Sequence, residues 1–128
     1  MVTYITDAPD APAPIGPYSQ AAEAGGFVFL SGQVPLDPAT KALVTGDIET
    51  LTNRVLDNLL AVLEHRKLGF GDVIKTTIFL IDLANFQRVN VVYERRMAGA
   101  RPARSTIQVA GLPLASPIEI EMIAVRRS

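Results

Sequence analysis

The apolar residues of this 128-residue chain fall into stretches of different period, and each stretch predicts an element. Ser19 to Glu23 and Phe27 to Ser31 flank Gly25-Gly26. Two short runs around a glycine pair predict a tight β-hairpin, because glycine adopts the positive φ that a primed turn demands. From Ile48 to about Lys67 the spacing becomes helical. Ile48, Leu51, Val55, Leu59 and Val62 make one stripe, Asp47 stands at the N-cap position and Gly69 lies just past the end. Val73 to Ile81 is apolar and β-branched on both parities, the pattern of a strand covered on both faces. Asp82 is placed to cap a second helix running through Met97, with Phe86, Val89, Tyr93 and Met97 facing inward.

Two further strands follow. Pro102 lacks a ladder N–H and suits the first residue of a strand. Alternation then groups Ser105, Ile107 and Val109 in one row and turns Arg104, Thr106 and Gln108 the other way, so Arg104 is expected to point away from the core row. In the last strand, Ile118 to Val125, one face carries Ile118, Ile120, Met122 and Ala124 and the other Glu119, Glu121, Ile123 and Val125. Pro35 to Thr40 and Gly111 to Pro117 read as loops, and residues 1–12, rich in Pro and Asp, as a loosely held leader to a single domain spanning 1–128. Two helices cover only one face of a sheet, yet Ile123 and Val125 lie opposite the Ile118 row. A lone subunit would expose that second face, so the pattern predicts self-association.

Composition narrows the chemistry. With no cysteine there is no disulfide, thiolate nucleophile or Cys-based metal site, and the single His65, in the last turn of the first helix, excludes a multi-histidine cage. No window approaches the roughly 20 apolar residues of a spanning helix, and the N-terminus lacks a signal-peptide layout, so a soluble, untargeted protein is expected, with no membrane partner. The net charge of −1 offers no long-range attraction for nucleic acid. The exception is local: Arg88, Arg95, Arg96, Arg101 and Arg104 stand against Glu94 alone, a patch suited to a small anion, although a solvated helix face accounts for at least Arg88 and Arg95.

Phosphate loops, nucleophile elbows, dinucleotide fingerprints and metal-ligand clusters are absent from the sequence. What remains is an arginine and a pair of acids. A guanidinium on a rigid strand can fork onto a carboxylate or phosphate through two parallel hydrogen bonds, although a surface arginine can equally be only solvated. Glu119 and Glu121 carry the same ambiguity, being able to handle a water or merely to face it. Ser31-Gly32 at a strand end could offer a hydroxyl and an amide to a ligand or simply turn the chain. Lys75 reads as a snorkelling or paired lysine rather than a Schiff-base former. Asn90 sits beside the second helix's inward stripe.

Gly16-Pro17-Tyr18-Ser19-Gln20, Ser31-Gly32-Gln33, Val73-Ile74-Lys75-Thr76-Thr77, Phe86 with Asn90 and Tyr93, Pro102-Ala103-Arg104-Ser105 and Ile118-Glu119-Ile120-Glu121 occur in that order from about Ala13 to Arg127. Together they resemble the reactive intermediate deaminase family, the RidA or YjgF group. The resemblance implies an α+β, chorismate-mutase-like subunit with a mixed β-sheet and two helices packed on one face. It also implies a homotrimer and clefts between subunits that hydrolyse small 2-imino and enamine acids without metal or organic cofactor; a cytoplasmic location is expected, with which the lack of cysteine is compatible. Substrates would be 2-aminoacrylate/2-iminopropanoate and 2-iminobutanoate, released as 2-keto acids and ammonia. Carried over, Arg104 would grip the substrate carboxylate, helped by Gly32 and the backbone of Thr106. Glu119 would orient or deprotonate water, and Tyr18, Ser31 and Asn90 would line the cleft. Three features depart from the pattern: Thr106 replaces a frequent cysteine, Leu51 a frequent glutamine, and the loop from Tyr93 to Pro102 is short. A nonhydrolytic carboxylate binder or chaperone-like trimer is the first alternative. An RNA-cleaving translation inhibitor, which would need an extended basic surface with stacking aromatics, is the second.

Overall fold

The computed structural model describes residues 1–127. Six strands, β1 (Thr3–Ile5), β2 (Ala21–Ala24), β3 (Phe27–Gln33), β4 (Val73–Leu80), β5 (Ala103–Gln108) and β6 (Ile118–Val125), form one sheet in the order β1-β2-β3-β6-β4-β5. All neighbours are antiparallel except β4 and β5, so the sheet is mixed and the fold α+β. The helices are α1 (Ile48–His65) and α2 (Phe86–Met97), and α2 is the crossover that a parallel pair requires.

Local chemistry accounts for the boundaries. The carboxylate of Asp47 accepts from the Thr50 amide at 2.8 Å and starts α1. The helix stops at His65, two residues before the expected end, where Lys67 takes a left-handed φ of 61° and the amides of Arg66, Lys67 and Leu68 close onto Leu63 and Glu64. Asp82 does cap, but it caps a single 3-10 turn, Leu83–Asn85, through the Ala84 amide at 2.9 Å, and α2 begins only at Phe86. The β2–β3 hairpin turns on Gly25 and Gly26, whose φ values of 60° and 83° bear out the reading of that pair.

Helix α1 packs on β3, β6 and α2, and the core lies between the helices and one face of the sheet. Val55, Leu59 and Val62 from α1 meet Ile118, Ile120, Met122 and Ala124 from β6 there, all buried. Truncating Leu59 to alanine costs about 2–5 kcal/mol. The opposite face is uncovered. Phe27, Phe29 and Ile107 are over 40% exposed on it, with the Phe27 and Phe29 rings 6.3 Å apart. In β4, Thr76, Ile78 and Leu80 are buried while Lys75, Thr77 and Phe79 of the other parity are only partly so. The expectation of a β4 covered on both faces therefore fails within one chain.

The first twelve residues are not a loose leader. Thr3–Ile5 pairs with β2, and Ile5, Ala8 and Ala11 are buried. The buried Gln20 side chain accepts from the Ala8 amide at 2.8 Å and donates to the Ala8 and Pro12 carbonyls. One amide group thus satisfies three backbone groups, and that contact pins the segment.

Candidate functional site

The candidate residues collect in two separate places. Arg104 lies on β5 between α2 and the sheet, its guanidinium carbon 4.9 Å from the centre of the Tyr93 ring and 5.6 Å from that of Phe86. Two ring faces hold the cation without neutralising it, so its hydrogen-bond donors stay available. Tyr93 is fixed in turn by a buried 2.8 Å hydrogen bond between its hydroxyl and that of Thr76, and Arg104 is the β5 register partner of Thr76. The row assignment made from alternation is therefore inverted. Ser105 and Ile107 face the uncovered side, while Arg104 and Thr106 face the helices. An edge strand with one large aliphatic residue gives periodicity little to decide with, and the aromatic faces of α2 decide instead. Arg104, Asn90 and Arg101 line a groove of about 570 Å³ between α2 and the loop into β5.

Glu119 lies elsewhere. Leu30 pairs with Met122 and Gln33 with Ile120, so Ser31 and Gly32 together oppose Glu121 alone, a bulge that presents both residues at the strand end. A Cβ on Gly32 would collide with the Glu119 carboxylate, with Cδ only 2.8 Å away, so the absent side chain is what lets the carboxyl lie against the β3 backbone. Glu119, Gly32 and Tyr18 line a second pocket of about 160 Å³, rimmed by the exposed Ile15 and Leu114. Among the described residues Glu119 has no cationic or hydrogen-bonding partner. Burial, and after it the charge of Glu121, pushes its carboxyl pKa above the ordinary range.

The two places are on opposite sides of the molecule's sheet. Arg104 is level with Thr76 and Met122, and Glu119 with Phe79 and Ile107. They are thus three residues apart along the strands, about 10 Å, and on opposite faces. Arg104, expected to point away from the core row as Glu119 does, faces the helices instead. Asn90 belongs to the Arg104 groove and Tyr18 to the Glu119 pocket. Ser31 and Thr106 are among the lining residues of neither. The Ser31 hydroxyl donates to the Ser19 carbonyl at 2.6 Å, bracing the Tyr18 segment, and the Thr106 hydroxyl is buried without a partner among the described residues. Lys75 is paired, donating to Ser105 at 3.2 Å. His65 approaches Asp7 at 3.3 Å.

Sequence reasoning did not single out Ile15, Leu114 or Arg101 as site residues. Arg101 has a signal in the basic zone of the sequence, but the fold breaks that zone up. In fact Arg88 pairs with Glu49 and Arg96 with Asp57.

The chain is thus an α+β protein with two helices on one face of a mixed sheet, a bulge-borne glycine under a desolvated glutamate and a ring-held arginine. A model of the family described as Endoribonuclease L-PSP matches residues 8–126, and the chain belongs to that family, the YjgF/RidA group. It is similar to Protein DfrA of Myxococcus xanthus, 55% identical over 117 residues, covering 90% of this chain and 89% of that one. It is also similar to the 2-iminobutanoate/2-iminopropanoate deaminase of Salmonella typhimurium, 46% identical over 121 residues, covering 92% and 94%. A solved structure of a putative endoribonuclease from Thermotoga maritima superposes with a TM-score of 0.95 at 48% identity over the whole of both chains. Among the described residues no helix is long and apolar enough to cross a membrane.

Proposed function

We propose that the protein is a hydrolytic deaminase of small 2-imino acids, working as a homotrimer whose sites each join the Arg104 groove of one subunit to the Glu119 pocket of the next. The observation that carries this reading is a complementary pair of leftovers: an arginine without a carboxylate and a desolvated carboxylate without a cation, on opposite faces of one sheet. A second copy laid on the uncovered Phe27, Phe29 and Ile107 face would bury its apolar surface, and Glu119 stands at the end of that face. The trimer rests on this argument and on the resemblance.

In such a cleft the substrate carboxylate is held by the Arg104 fork, while Asn90 and Tyr18 border it from the two sides. The imine carbon is already electrophilic, so the protein has to place a water and move a proton. Glu119, as carboxylate, takes a proton from water as its oxygen adds to the iminium carbon and the C=N π pair moves to nitrogen, giving a neutral carbinolamine. It then returns that proton to the carbinolamine nitrogen as the C–N bond breaks and the C=O forms, and the hydroxyl proton leaves with the departing ammonia, so that a 2-keto acid and ammonium are released. A carboxyl pKa raised by burial suits both halves of that cycle. The Salmonella relative's name supports 2-iminopropanoate and 2-iminobutanoate as substrates. The test is ammonia release above the spontaneous rate from freshly generated 2-iminopropanoate, together with light scattering at three times the chain mass. A stable, active monomer overturns the shared cleft. Cleavage of single-stranded RNA without imine hydrolysis would overturn the deaminase reading in favour of the activity named in the family's description.

A further inference from the structure

Arginine pairing across the chain singles out the Arg104 groove. Of the nine arginines in the sequence, Arg54, Arg66, Arg88, Arg96, Arg126 and Arg127 each reach a carboxylate. Among the described residues Arg95, Arg101 and Arg104 do not, and two of these three, Arg101 and Arg104, line one groove. Its wall otherwise carries the neutral Gln87 and Asn90 and a single acid, Glu94, so the groove holds an excess of positive charge. The backbone turn that carries Arg101 is also shaped locally. Ala98 and Gly99 take positive φ values of 50° and 93°, the Ala100 amide closes onto Met97 at 3.0 Å, and Pro102 restricts the residue before it to extended backbone. The groove, at about 570 Å³, is several times larger than the pocket around Glu119.

We infer that Arg101 is a specificity residue that receives a second anionic group, so that the preferred substrates are 2-imino dicarboxylic acids of four or five carbons. The inference rests on the deaminase reading: Arg104 takes the carboxylate beside the imine, and Arg101 takes the one at the far end. Three residues of extended chain separate the two Cα atoms by about 10 Å, and two long guanidinium side chains can close that onto a short diacid. The distal carboxylate is a spectator in the hydrolysis.

The test compares kcat/KM for imines made in the cuvette by amino-acid oxidases from L-alanine and from L-aspartate or L-glutamate, followed by loss of semicarbazide trapping. The parent should favour the diacid imine by about tenfold or more, and Arg101→Gln should lower that ratio by about the same factor, the worth of one charge-assisted contact. Arg95→Gln, which removes equal charge from outside the groove, should leave the ratio unchanged. A parent that hydrolyses 2-iminopropanoate with no diacid preference, or an equal fall in the ratio for both variants, overturns the inference and leaves the deaminase standing. If no imine is hydrolysed the deaminase reading fails. Calorimetry with 2-oxoglutarate and pyruvate then still decides the two-cation groove, which is refuted by equal affinities or by tight 2-oxoglutarate binding that survives Arg101→Gln.

Discussion

Two glutamates on the same sheet have opposite fates. Glu23, on β2, accepts from Arg66 and Arg126 at 3.0 Å each, and the Arg126 hydrogen bond is the main cause that lowers its pKa from 4.5 to about 2. Glu119, on β6, has its pKa raised by burial and has no arginine to offset it. One acid ties the end of α1 to the last strand and contributes to stability. The other is held ionisable against its own desolvation, while among the described residues Arg104 on the far face is left equally unpaired. Charges that the fold completes hold the fold, and a desolvated charge that it leaves incomplete is a candidate for binding something else.

The largest effect that sharpens this contrast is expected at Glu119. Glu119→Gln should lower kcat for 2-iminopropanoate by about 100-fold or more, the scale of a lost general base, whereas Glu121→Gln should be far milder. Stability should move the other way. With a raised pKa, the folded chain keeps this proton to higher pH than the unfolded chain does, so Glu119 opposes folding above the ordinary carboxyl range and not below it. The melting temperature of Glu119→Gln should exceed the parent's at pH 7 and coincide with it below about pH 4. A variant that is both inactive and less stable at pH 7 would make Glu119 a structural acid like Glu23.

Next in size is Arg104→Lys, which keeps a cation near the Tyr93 and Phe86 rings but cannot fork. A fall in kcat/KM of about 10- to 150-fold is expected, and a change within twofold would discard the carboxylate grip. The division between faces has its own test. Co-refolding equal amounts of Arg104→Ala and Glu119→Gln should restore about a quarter of the sites, since random closed assembly brings the intact halves together at that frequency. Arg104→Ala mixed with an inactive Asn90 variant should restore none, because both residues line the same groove. Recovery in the second mixture but not the first would reverse the assignment.

Gly32→Ala should cost roughly tenfold in kcat by displacing the Glu119 carboxyl, with little change in melting temperature, since the collision is with the flexible end of a side chain. Smallest is Glu23→Gln, expected to leave activity unaltered and remove about 1–2 kcal/mol at pH 7, allowing for water that reaches the arginine ends. Because the folded pKa of Glu23 is depressed, its contribution is present above pH 4.5 and is lost as the pH falls toward about 2. Acid unfolding of parent and variant should converge over that interval.

Much was legible before any fold was known, because it rests on local chemistry. The caps at Asp47 and Asp82, the glycine hairpin, the α1 stripe and the alternation of β6 all follow from neighbours within a few residues. The second apolar face was legible too, since Ile123 and Val125 alternate with the core row whatever the sheet packs against. Parity states which residues share a row, but not which row meets the helices. In β6 the dense apolar row settles that. In β5, Arg104, Thr106 and Ile107 do not, and only the rings of Tyr93 and Phe86, brought over the strand by the crossover helix, turn the guanidinium inward. The pinning of the first twelve residues likewise depends on the Gln20 amide meeting Ala8 and Pro12 across a fold that spacing along the chain does not encode. The separation of Arg104 from Glu119 was beyond sequence reading for the same reason: β6 lies beside β4, and β4 beside β5, by long-range pairing, so face and level in the sheet are properties of the assembled strands.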